Sequence, residues 1–446
     1  MLISRWRSLP AIGWSAVALG STSVLAGPSL DEAIARHRAL VVPPGVAAPV
    51  GPTPIAIDDE GGDDVTAALG GPGDDIPPLL RPEIRGEGGL RLRTRTAFLE
   101  GSVRARFAAT WQPGASYPLS FDGTAISAPL GVGRVYASVE RRHWGPSWTG
   151  SLILDGGAEA IPAIGWRKSD AKPFESRWLA WLGPWSLDAF AGGLTEANGP
   201  QHPHLFGARV QVMPLPGLEL AASRTIQWGG GGRPESLRSL GKALFGRDNT
   251  SAGMSQDAEP GNQLGGFDAR YTLVLGDRRT VSIYGQAIGE DEAGGFPSHY
   301  LASVGVDAAF AVGATTVRVF VEHANTTLNG MLGTPILDSA YRHAIYVGGY
   351  TQRGEPLGYP VGGDVRLTSI GALVDAGAWS GTLMLHDGYA YPTATLYPGG
   401  GKLYGGDAAL VWQVDSASRV GIELAHWRDP GGTWTRAQLW WRYSFR

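Results

Sequence analysis

The sequence has no cysteine in 446 residues. It therefore has no thiol nucleophile, no disulfide framework and no residue to carry the lipid of a lipoprotein. Beyond the N-terminus it has no run of eighteen apolar residues, which argues against a membrane-spanning helix. It has no basic excess either. Lys and Arg total 37 against 41 Asp and Glu, a net charge of −4, so there is no electrostatic footprint for nucleic acid. The nine His show no metal-ligand spacing, and His202 and His204, either side of Pro203, are a weak pair. Ser147 lies in GPSWTG, not in a nucleophile elbow, and the glycines at 229–232 lack the Lys-Ser/Thr of a phosphate loop. No catalytic residue, cofactor or metal is expected.

Glycine and tryptophan are abundant, at 66 and 16, and mean hydropathy is −0.07. Many turns and aromatic girdles would produce this balance in a transmembrane β-barrel, and so would an all-β soluble enzyme. The stretch 218–298 separates them. Residues 218–226, 267–275 and 280–288 have strand length. Only four residues, 276–279, join the last two, which makes a tight hairpin. Roughly forty polar residues join the first two. Short turns at one end and long polar loops at the other are the layout of an outer-membrane barrel, in which the short turns face the periplasm. Residues 228–262 and 289–297 are then expected on the outer rim.

Alternation supports this. Leu90, Leu92, Thr94 and Thr96 alternate with Arg91, Arg93 and Arg95, and Val103, Ala105 and Phe107 alternate with Arg104 and Arg106. Five Arg on one face of two neighbouring strands suit a polar lumen with lipid outside. Val317, Val319 and Val321 face away from Arg318 and Glu322, and Val420, Ile422 and Leu424 away from Glu423. The last strand is the cleanest: Ala437, Leu439, Trp441, Tyr443 and Phe445 against Arg436, Gln438, Trp440, Arg442 and Ser444. Counting up and down from it places 325–365 and 391–406 outside as well.

Residues 1–26 read as a secretory signal. Arg5 and Arg7 precede a short apolar stretch at 11–19, and Val24, Leu25 and Ala26 precede Gly27 as a small-residue cleavage site. Residues 29–40 suit one short helix capped by Ser29, with Glu32 as its reciprocal partner. Residues 42–82 are rich in Pro, Gly and Asp and read as a periplasmic linker rather than a calcium site. The expected division is 1–26 signal, 27–85 helix and linker, and 86–446 barrel.

The long outer segments carry a specific resemblance. The runs RRHWGPSWTGSLIL (141–154), AASRTIQWGGGGRPESL (221–237), GRDNTSAG (246–253), EPGNQLGGFDARY (259–271), YGQAIGEDEAGGFPS (284–298) and YTQRGEPLGYPVGGD (350–364) resemble the Wzi family of capsule assembly outer-membrane proteins. The resemblance implies an all-β, antiparallel barrel of about 18 strands with a small helical periplasmic part. It also implies a lectin-like role, with capsular polysaccharide or exopolysaccharide, outer-membrane lipid and the polysaccharide export machinery as partners of a monomeric chain. Its loops would be extracellular and its termini periplasmic.

Sugar recognition needs aromatic faces and planar polar groups, and acidic sugars need Arg. The outer segments supply Gln227, Trp228, Arg233, Glu235, Arg247, Asp248, Asn249, Asn262, Gln263, Arg353 and Tyr359 as polysaccharide-binding candidates. Glu290, Asp291 and Glu292 read as a solvated rim. Trp144 and Trp148, flanking Gly-Pro-Ser, read as a packed corner, with Arg141, Arg142 and His143 beside them facing the lumen. Arg91, Arg93 and Arg95 join that lumen set. Two other readings stand beside the lectin: a porin-type channel with an Arg-lined lumen, and an outer-membrane hydrolase pairing Ser and His across strands.

Overall fold

The computed structural model describes residues 30–41, 63–70, 88–98, 102–115, 117–170, 172–195, 199–244, 261–293, 296–331 and 333–445. The expected signal at 1–26 lies outside them, as do Arg247, Asp248 and Asn249.

The described chain closes into one antiparallel barrel. Leu119–Ser120 and Thr124–Leu130 both pair with Val103–Trp111 and are two parts of one interrupted strand. Counted that way, the sheet has eighteen strands. Closure falls between Asp63–Gly70 and the final strand, Gly432–Phe445, in register from Asp63↔Phe445 to Gly70↔Gln438. No described helix is long and apolar enough to cross a membrane.

Asp63–Gly70 corrects part of the expected linker, whose remainder at 42–62 and 71–82 lies outside the described residues. It pairs with Gly88–Phe98 on its other side, so it is a wall strand and not a tether. Its buried face carries Asp64, Thr66 and Ala68, while Leu69 is exposed. Asp64 accepts from Arg93 Nε at 2.9 Å, and Thr66 from Arg442 Nε at 3.1 Å. The acid-rich start of this strand is therefore lumen polarity.

The period-2 pattern follows directly from the barrel wall, since successive side chains point to lipid and lumen in turn. In Gly432–Phe445, Leu439, Trp441, Tyr443 and Phe445 are exposed while Arg436, Gln438, Trp440 and Arg442 are buried. At one end the hairpins are tight, and Gly313 and Gly377 take φ of 59° and 71° there, as such turns require. An aromatic girdle rings this end: Trp379 and Trp412 stack with centroids 5.4 Å apart, beside Trp441, Tyr443 and Phe445.

The opposite end carries residues 229–244 and 326–364. Two expected loops are shorter than the sequence implied. Residues 289–297 belong largely to the long strands Arg279–Ala293 and Phe296–Val312, and 401–406 to Gly401–Gln413. Glu290 is not solvated: it is buried and accepts from Tyr341 N at 2.5 Å.

Candidate functional site: the filled lumen and the long-loop end

Residues 141–160 join two wall strands, Gly133–Glu140 and Ile161–Lys168, and turn inward between them. From Trp144 to Asp155 every residue is buried. The sequence explains the direction of the turn. Leu152, Ile153 and Leu154 follow Trp148, and this apolar run is shielded from water by its burial inside the barrel. Trp144 N donates to Leu154 O at 2.7 Å, which closes the segment on itself.

A carboxylate from the wall fixes it there. Glu322 accepts from Trp148 N, Thr149 N and Thr149 Oγ1 at 2.5, 3.0 and 2.6 Å, and from Tyr284 Oη at 2.7 Å. Gln286 holds the next turn, accepting from Leu152 N at 2.8 Å and donating to Trp144 O at 2.7 Å. These pairs satisfy backbone groups that would otherwise be orphaned in a dry interior.

On the long-loop side the segment packs against residues 340–361. Tyr341 Oη donates to Leu152 O at 2.8 Å, and Asp155 N to Leu357 O at 2.9 Å. A Cβ added at Gly150 would lie 2.5 Å from Pro360 Cδ. On the short-turn side it meets the helix Leu30–Ala39. Arg36 donates to Ser147 O, Gly145 O and Pro146 O at 2.6, 3.1 and 2.7 Å, and its guanidinium lies 4.7 Å from the Trp148 ring centroid. The helix is tied to the wall by Arg38 to Asp375 and by Asp31 to Arg442. A continuous path of packed side chains thus crosses the lumen from the helix to the long loops. A polar, charged network surrounds it: Arg270 and Arg318 share Asp307, and Arg209 pairs with Asp268.

The sequence-derived lumen candidates lie in this assembly. Arg142 pairs with Asp188 at 3.5 Å and stacks on Phe190 at 4.0 Å. Arg141 bonds Asp122 and the carbonyls of residues 156–158. Trp144 packs edge-on against Phe190, and Trp148 stacks on Phe320. His143 sits between Asp155 O and Ser147 O. Arg91, Arg93 and Arg95 lie on the face opposite the exposed Leu90 and Leu92, and Arg95 N donates to Asp63 Oδ1.

The polysaccharide candidates divide. Gln227 and Asn262 are buried and bonded to each other at 2.7 Å. Tyr359 is buried against the inner segment. Trp228 offers no open face: Phe206, His204 and Leu240 cover it, and its Nε1 donates to Ser239 Oγ at 3.2 Å. These four are corrected to structural positions. Gln263 faces outward with Arg224. Glu235 is exposed, and Arg233 and Arg353 are half-buried. Glu235 accepts from Gly230 N at 2.8 Å and lies 3.5 Å from His204. Arg353 lies 4.0 Å from the Tyr117 ring centroid, a pairing invisible in sequence because 236 positions separate the two residues.

Burial tunes the helix. His37 is fully buried beside Thr316 and Arg318. Burial, then the Arg318 charge, lowers its pKa from the usual 6.5 to about 4. Against its own burial, Asp31 is held below the ordinary carboxylate value by Arg442. A released helix regains the usual His value and binds a proton that the docked helix does not. Docking is therefore strongest above about pH 6.5 and weakens as pH falls toward 4, by up to about 3 kcal/mol. Hydrogen exchange of Leu30–Ala39 amides is expected to quicken through that window in the wild type and to lose the dependence in His37→Gln.

Together, an eighteen-stranded closed wall, an apolar outer band, an aromatic girdle and a lumen filled by its own chain define an outer-membrane β-barrel. The model of the family Capsule assembly protein Wzi matches residues 128–373, and the chain belongs to that family. The solved Wzi of Escherichia coli, described as a carbohydrate-binding β-barrel involved in group 1 capsule assembly, superposes with a TM-score of 0.73 at 25% identity, covering 86% of this chain and 85% of that one. An uncharacterized 55.8 kDa protein in the cps region of Klebsiella pneumoniae is 38% identical over 186 residues, 42% of this chain and 36% of that relative.

Proposed function

We propose that the protein is a surface lectin that holds capsular polysaccharide or exopolysaccharide at the outer membrane and helps to assemble the capsule. The observation that carries this reading is the filled lumen. A barrel crossed by Arg36, Trp148 and Tyr341 in contact with one another's segments leaves its rim as the surface that meets polymer. Membership of the family and the description of its Escherichia coli member support the ligand class.

In this reading the long-loop end is extracellular and the short-turn end, where Asp63 pairs with Phe445, is periplasmic. The helix Leu30–Ala39 is then the element nearest the export machinery, and the chain acts as a monomer. The rim contributes guanidinium groups to the carboxylates of acidic sugars, with Arg353 over the Tyr117 ring and Arg233 and Glu235 on the neighbouring loop. The chemistry is binding, with no bond made or broken.

Purified polysaccharide titrated onto detergent-solubilised protein tests the rim. The pair Arg233→Ala and Arg353→Ala is expected to weaken binding roughly tenfold or more, the effect of two charge-assisted contacts. Trp228→Phe, which keeps the covered ring, is expected to bind like the wild type. Unchanged binding by the double variant would remove these residues from the site.

A further inference from the structure

The outward face of the barrel changes character abruptly near the long-loop end. Across the adjacent strands Val365–Ala376, Trp379–Ala390, Gly401–Gln413 and Ser418–Asp429, the registers align side chains in rows. One row runs Ala372, Leu383, Ala408 and Leu424, and the next begins Ile370 and Leu385. Leu383, Leu385, Ile370 and Leu424 are exposed, which is the lipid-facing belt. Two residues further up, the row reads Thr368, Asp387, Tyr404 and Arg428, and above it Arg366, Tyr389 and Lys402. The apolar surface gives way in one step to cations and tyrosines.

These side chains are organised. Arg366 lies 5.6 Å from the Tyr389 ring centroid. Lys402 and Arg428 lie 5.5 and 5.8 Å from that of Tyr404. Asp387 is the acidic member of the two rows, 3.2 Å from Lys402 Nζ, so three cations face one carboxylate. The arrangement spans three interstrand steps, roughly 14 Å. Tyrosines at the edge of an apolar belt sit at headgroup level, and cations there meet phosphate.

We propose that Arg366, Lys402 and Arg428, with Tyr389 and Tyr404, form a binding site on the barrel exterior for a phosphorylated lipid headgroup of the outer leaflet. The site is continuous with the lipid-facing belt, so acyl chains lie along Leu383, Leu385 and Ile370 while phosphates meet the cations above. It is separate from the polymer-holding rim and rests on the orientation given above, with the long loops outside.

The test uses full-length protein in zwitterionic detergent, with thermal unfolding and native mass spectrometry as readouts. The probes are diphosphorylated lipid A, its dephosphorylated form, inorganic phosphate and capsular polysaccharide. Diphosphorylated lipid A is expected to raise Tm and remain bound. The combined change Arg366→Gln, Lys402→Gln and Arg428→Gln is expected to weaken it roughly tenfold or more. Neither the dephosphorylated lipid nor inorganic phosphate should substitute. Equal retention by the triple variant, equal binding of the dephosphorylated lipid, or displacement by phosphate or polysaccharide would overturn the proposal. If the triple variant does not fold, Lys402→Glu at this exposed position gives the same reading. Orientation is checked apart from binding: the chain lacks cysteine, so Thr433→Cys can be labelled on intact cells with an impermeant reagent. Labelling only after lysis would place the site in the inner leaflet and overturn the proposal.

Discussion

Glu322→Ala turns a closed barrel into a conducting one. Glu322 is the common acceptor for two backbone N–H groups and one hydroxyl of the inner segment, and for Tyr284. Truncation leaves buried donors unpaired, each costing about 1–3 kcal/mol. The inner segment then loses its hold on the wall, while Arg36 still grips its tip from the helix. Planar-bilayer recordings are expected to show rare, small openings in the wild type and frequent ones in Glu322→Ala. Adding Arg36→Ala should bring conductance toward that of an open barrel of this strand number, which encloses a water-filled channel. Glu322→Gln keeps shape and one acceptor and should fall between. A wild type that already conducts like an open porin would favour the channel reading.

The second large effect concerns Asp307. Its carboxylate is shared by Arg270 and Arg318 and accepts from Trp148 Nε1 at 3.1 Å, all buried. Removing one member of a buried charge cluster costs far more than the net worth of the cluster, because the remaining charges stay desolvated. Asp307→Asn is expected to destabilise the barrel by about 3–5 kcal/mol. Urea unfolding in detergent should show the midpoint falling with little change in slope. Replacing Arg270 and Arg318 by Met in the same background should recover much of the loss. A change below about 1 kcal/mol would mean that water enters the lumen and screens these charges.

The wall was legible in the sequence because each strand reports its two environments independently. In Gly432–Phe445 the lipid and lumen faces read from the letters are the exposed and buried faces of the structure. Asp63–Gly70 was not legible. It is short, its acidic start merges with an acid-rich stretch, and its partners are the next strand and the last one, so only barrel closure identifies it. The interior is likewise a matter of distant contacts: Glu322 and Thr149 are 173 positions apart. Residues 141–160 announced a packed corner at the lumen through Trp144, Trp148 and the neighbouring Arg141 and Arg142, yet nothing local names Glu322 and Gln286 as the wall residues that hold it.

The rim shows the same limit from the other side. Trp228 beside four glycines reads as a polysaccharide candidate or as a loop packed into the barrel mouth. Whether its faces are free depends on Phe206 from the neighbouring strand and Leu240 from the helix Leu237–Leu244, and both cover it. Composition names the residue types a sugar site needs, but tertiary packing decides which remain available. Arg353 on Tyr117 is the converse case, a half-buried pair that no spacing rule connects.

In the proposed function, the closed barrel retains polymer at the cell surface. The most direct test is the partition of polysaccharide between cells and medium in a strain lacking the protein. Total polymer is expected to be unchanged with most of it shed, and to be restored to the cell by the wild type and not by the variant lacking Arg233 and Arg353. Polymer that stays cell-bound without the protein would contradict it.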